Sequence, residues 1–86
     1  MELTLHAARR AKNRSIGQRI IDLLMDYGME YDAGNGCRAY FVGRRLAGAI
    51  GGMLMACRNK AVIVYGQQIV TVHHCEHPPR SWRRLA

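Results

Sequence analysis

Carboxylates are scarce in this chain of 86 residues: six Asp and Glu face thirteen Lys and Arg, a formal charge of +7 and a pI near 10.0. So basic a small domain points to an acidic or polyanionic partner: nucleic acid, an acidic protein or a membrane surface. Cysteine is also sparse. Cys37, Cys57 and Cys75 are odd in number and lack the spacing of a disulfide scaffold, so a reducing, cytoplasmic setting is the expectation. The start of the chain has no apolar signal-peptide core. The longest apolar run, Leu46 to Cys57, is too short to cross a bilayer and contains Gly48, Gly51 and Gly52, so no membrane partner is expected. No Gly-x-Gly-x-x-Gly or Walker pattern is present, which argues against a nucleotide-cradling loop, and none of the cofactors that such loops hold is expected.

What is present favours a folded domain. Hydrophobic residues make up 49% of the chain, well above the level of disordered segments. The length suits one domain, expected over residues 1–77, with a basic tail over 78–86. A chain of this size buries roughly 60% of its unfolded surface, so its core is thin. Eleven of the thirteen cations are Arg, whose planar fork suits phosphate and carboxylate better than simple solubilisation does.

The spacing predicts a first helix over residues 3–14, with Leu3, Ala7, Ala8 and Ala11 on its packed side. His6, Arg10 and Arg14 lie four apart and stack along one flank, beside the apolar stripe. They form a cationic row whose heads either reach the sheet rim or snorkel into water over packed stems. Ser15-x-x-Gln18 reads as a capping box that opens a second helix, with Ile16, Ile20, Leu23, Leu24 and Tyr27 as its core stripe and Gly28 just past its end.

Met29–Asp32 and Cys37–Val42 read as two strands around the turn Ala33-Gly34-Asn35-Gly36. Arg38, Tyr40 and Val42 share one face of the second strand; alternation alone leaves open whether helices or solvent cover it. In residues 43–60 the positions Leu46, Ile50, Met53, Leu54 and Cys57 have helical spacing. Each glycine there weakens a helix by about 1 kcal/mol, so a loosely held helix or an apolar partner surface is expected. Ala61–Tyr65 is a central strand, and Gly66-Gln67 a two-residue turn into Gln68–His73. In this last strand Ile69, Thr71 and His73 should share one face, and Val70, Val72 and His74 the other. The tail Pro78–Arg84 carries Trp82 among its arginines and suits stacking on a single-stranded nucleic acid or folding on a partner.

His73, His74, Cys75 and His77 crowd the end of that strand. His73, Cys75 and His77 would project together if extended, but paired ligands split across a loop are missing, so no metal is expected. Acid–base or RNA-contacting histidines and a plain polar strand end remain as alternatives.

The fold class is therefore α+β: two N-terminal helices on an antiparallel sheet of about four strands, in the order α-α-β-β-(α)-β-β. The pattern His6-Ala7-x-x-Arg10-x-x-x-Arg14-x-Ile16, followed by a late apolar strand, a Gly turn and Ile69-Val70-Thr71-Val72, resembles small RelE/ParE-superfamily toxin-like domains. The resemblance spans about residues 4–74. It implies a basic concave sheet surface that receives RNA in RelE-like members, whereas ParE-like members act on gyrase. It further implies a metal-independent endoribonuclease site with His6 and His73 as catalytic candidates. Arg10, Arg14, Arg38, Tyr40, Arg44 and Arg45 are then the candidate nucleic-acid contacts, and RNA, an acidic antitoxin and a second copy of the chain the candidate partners. The alternative is a non-catalytic nucleic-acid-binding or protein-interaction module of a mobile element.

Overall fold

Thr4 determines how the chain begins. Its hydroxyl accepts from the Ala7 amide at 3.1 Å and so caps a helix, α1 (Leu5–Asn13), while its own amide donates to the Ile69 carbonyl at 2.9 Å. Leu3 is therefore not the first helical residue, as its place on the apolar stripe had implied. With Glu2 it forms a short strand, β1 (Glu2–Leu3). The computed structural model describes residues 1–85, and the remaining elements are α2 (Gln18–Tyr27), β2 (Met29–Gly34), β3 (Cys37–Val42), α3 (Arg44–Ala47), β4 (Lys60–Tyr65), β5 (Gln68–His74) and β6 (Arg83–Arg84).

Among the described residues, six strands form one mixed sheet in the order β1-β5-β4-β3-β2-β6. Its centre is the expected antiparallel meander β2 to β5. The two additional strands come from the ends of the chain: β1 runs parallel to β5 and β6 antiparallel to β2. Each pairs only two residues, a length too short for periodicity to reveal. No described helix is long and apolar enough to cross a membrane.

The joint between α1 and α2 is a Schellman turn and not a capping box. Ser15 takes φ +55°, its amide donates to the Lys12 carbonyl at 3.2 Å, and the Ile16 amide donates to that of Ala11 at 2.8 Å. Buried Ile16 packs in the same core as Ala11, the apolar contact that accompanies this motif, and Gly17 stands at the N-cap of α2. Ile21 and Leu24 are the fully buried residues of α2, with Ile20 and Leu23 half-buried beside them. Tyr27 is exposed, and Ala8 likewise faces solvent from α1. At the end of α2, Gly28 lets the helix meet β3, because a Cβ there would collide with the Leu24 carbonyl oxygen and stand 3.1 Å from the Phe41 amide nitrogen.

Asn35 (φ +54°) and Gly36 (φ +78°) make the β2–β3 turn, so β2 runs on to Gly34, with an irregularity in register between Asp32 and Gly34. A second irregularity, between Ile63 and Val64 opposite Val70, overturns the simple alternation expected for β5. Ile69 and Val72 both enter the core with Val42, Val62 and Val64, while Thr71 and His73 lie on the far face. Residues 43–60 also depart from a helix. Ile50, Gly51 and Gly52 all take positive φ, and the segment divides into α3 and two 3₁₀ turns at Ile50–Gly52 and Met55–Cys57. Ala47, Leu54 and Cys57 still anchor it in the core.

The α1–α2 side of the sheet thus carries the main core. The opposite face is built by register from Tyr31, Ala39, Phe41, Ala61, Ile63, Thr71 and His73. The basic tail lies over part of it.

Candidate functional site

Neither α1 nor its C-cap residue contains a carboxylate, although Arg9, Arg10, Lys12 and Arg14 all lie there. Among the described residues the ion pairs are Arg38–Glu30 and Arg83–Asp32, so no acidic partner meets the α1 cations, of which Arg9 and Lys12 are exposed and Arg10 and Arg14 half-buried. The Nε–H of Arg10 donates to His6 Nε2 at 3.4 Å, a long and exposed contact that sets the imidazole and the guanidinium side by side.

His73, at the end of β5, lies beside Ala61 in the sheet register. It is half-buried, and its Nε2 is enclosed without a hydrogen-bond partner among the described residues. Burial, then the positive charges of Arg14, Arg10 and His74, push its pKa below the usual 6.5. Both causes favour the neutral ring over the charged one. β1 covers β5 only at Gln68–Ile69, so the His73 end of β5 is an open sheet edge, and α1 packs along the same strand. Arg10 thus touches His6 and adds its charge to the surroundings of His73.

Arg38 and Tyr40 belong to a different place. Their face is the one covered by the helices: Tyr40 packs against the core, and both residues close on Glu30. Arg38 reaches Glu30 Oε2 at 2.9 Å and the Tyr40 hydroxyl donates to the same oxygen at 2.8 Å. The tyrosine hydrogen bond, followed by Arg38, lowers the carboxyl pKa of Glu30, while burial and then the carboxylate raise that of Tyr40. The charge of Arg38 is largely neutralised here. The sheet separates this cluster from His73.

Arg44 and Arg45 diverge from each other. Arg44 lines a cavity of about 210 Å³ with Arg58, Asn59, Glu76 and His77; Arg45 lines one of about 330 Å³ with Met29, Phe41 and Leu46. The histidine-rich stretch is likewise dispersed. His73 faces the sheet, His74 is exposed, the Cys75 amide donates to the Asn59 carbonyl, and His77 joins the Arg44 cavity. No group of three or more potential metal ligands comes together among the described residues.

Two aromatic residues complete the His73 site: Trp82, expected to stack on nucleic acid or fold on a partner but found against the chain's own sheet, and Tyr31, which pattern reading did not single out. Trp82 packs against His73, ring centroids 5.9 Å apart at 65°, and against Tyr31 at 5.9 Å and 46°. Ala39 and Ala61, both fully buried, lie between Tyr31 and His73 on the same face. Their small side chains leave room for a ring above the sheet. The available signal was the lone tryptophan in a tail together with alanines in two central strands.

No family model, curated protein or solved structure matches the chain.

Proposed function

We propose that this chain is an RNA-binding domain of the RelE/ParE-like toxin kind that grips single-stranded RNA along the α1 rim. The observation that carries the reading is the unpaired row His6, Arg10 and Arg14 beside the open edge where His73 sits. Guanidiniums without carboxylate partners are available to phosphate, and Arg suits its geometry. An adjacent aromatic surface suits unstacked bases, the usual targets of proteins that recognise RNA sequence.

Binding without turnover is the better-supported form of this reading. Cleavage needs a base near the 2′-hydroxyl and an acid for the leaving oxygen, and His6 and His73 are the residues for those roles. In this conformation His73 Nε2 is enclosed, with Trp82 packed against the ring. The reading carries with it a cytoplasmic setting, where three unbridged cysteines stay reduced. An acidic antitoxin would meet the same cationic rim.

The test is purification at low salt, followed by identification of co-purified nucleic acid and a cleavage assay on it. RNA carry-over that salt removes, with no specific cleavage, is the expected result. DNA carry-over or none at all counts against it. Protein-only association is the second reading, favoured by the exposed Ile50, Met53 and Met55. Light scattering on a nucleic-acid-free dimer would support that reading instead.

A further inference from the structure

The tail is attached to the sheet by few contacts. β6 pairs two residues with Tyr31 and Asp32, the Leu85 amide donates to the Glu30 carbonyl at 2.9 Å, and Arg83 meets Asp32 at 3.6 Å. That ion pair is solvent-exposed and of the sort that contributes little. Against this light attachment stands one well-made contact, the Trp82 ring between Tyr31 and His73.

The space beneath that ring has the makings of a ligand site. Two aromatic residues flank it, the Ala39 and Ala61 methyls lie between them, and Arg10 and Arg14 are charged neighbours of His73. A buried imidazole nitrogen without a partner is also present, an arrangement that costs free energy unless something else satisfies it. The Trp82 indole meets the imidazole edge to face and makes no hydrogen bond to that nitrogen, whereas a nucleobase carries both a flat face and several hydrogen-bonding edges.

We propose that the slot between Tyr31 and His73 is a nucleobase site that the chain's own Trp82 fills at rest, making residues 78–85 an exchangeable strap over the RNA surface. The inference rests on the RNA reading above and adds an occupant to it. RNA must displace Trp82 before a base enters, with the preceding phosphates at Arg10 and Arg14. The closed strap therefore lowers apparent affinity by the fraction of time the slot is open. Arg80, Arg83 and Arg84, carried out with the strap, are then free to meet the backbone of the bound strand.

Trp82 is the sole tryptophan, so its emission reports the strap directly. The experiment titrates the full chain with a short single-stranded oligoadenylate, following tryptophan emission, and compares affinities by anisotropy of a labelled strand. Saturation should shift the emission to longer wavelength. Trp82→Ala should bind about tenfold more tightly, as expected when a mostly closed site is opened. Arg83→Glu repels Asp32 and also removes a cation, so general electrostatics lowers its affinity while strap release raises it. Tighter binding by Arg83→Glu is thus diagnostic, and it needs no change in the aromatic slot. Binding with unshifted emission and no gain in either variant overturns the strap and leaves the RNA reading standing. Failure of all three proteins to bind overturns both.

Discussion

The imidazole of His73 and the indole of Trp82 stand edge to face, 5.9 Å between centroids, although they lie nine positions apart in the chain. This contact seats the basic tail on the sheet face opposite α1 and α2. It also keeps an uncharged histidine beside two arginines, which gives the fold a defined response to acid.

Stability should fall as the pH drops below 6.5. The pKa of His73 is lowered in the folded state, so below the usual 6.5 the unfolded chain binds the proton more readily. The stabilisation is present above that pH and is lost as the pH falls towards the folded-state value. Thermal unfolding at pH 7.5 and in steps below 6.5 should show a decline that His73→Phe removes. An equal decline in the variant would assign the effect to other groups.

Gly28→Ala should destabilise by about 2 kcal/mol, in the range for forcing atoms into a packed site. The added methyl would collide with the Leu24 carbonyl oxygen, and backbone on both sides prevents easy relief. Urea denaturation followed by circular dichroism measures it.

Ser15→Gly should stabilise by about 1 kcal/mol, because a residue with a Cβ is held at φ +55° in the Schellman turn. The midpoint of the same urea transition should rise. A fall would mean that unfolded-chain entropy outweighs the relief of strain.

Tyr40→Phe should cost about 1 kcal/mol for the hydrogen bond to Glu30 and raise the Glu30 pKa towards its ordinary value. Carboxylate titration by NMR checks the second part independently of stability.

The central elements could be read from the sequence because each has a strong local cause. The apolar period of α2, the Asn35-Gly36 turn and the run Ala61–Tyr65 all appear in the structure as strand, turn or helix. Departures arose where tertiary contacts outweighed local pattern. Leu3 suited a helix until Thr4 capped it and Ile69 offered a strand partner. Ser15 resembled a cap, but the nearby Ala11 carbonyl made it a left-handed terminator. The irregularity at Val70 turned Ile69 into the core, a shift that alternation cannot anticipate. Of the candidate site, His6 and Arg10 meet on α1 and the charges of Arg10 and Arg14 reach His73, whereas Arg38 and Tyr40 are engaged by Glu30, a residue eight positions from Arg38 with no special spacing signal. Trp82 could not be placed from sequence, because its position depends on a two-residue strand.

The most direct measurement is the salt dependence of binding to single-stranded RNA, compared among the native chain, Arg10→Ala, Arg14→Ala and Arg38→Ala. The account predicts a steep fall of affinity with salt for the native chain, and a slope shallower by about 0.7 for each of the two α1 variants. Arg38→Ala should keep the native slope, since that guanidinium is already paired with Glu30. One slope shared by all four proteins, or a loss confined to Arg38→Ala, would contradict it.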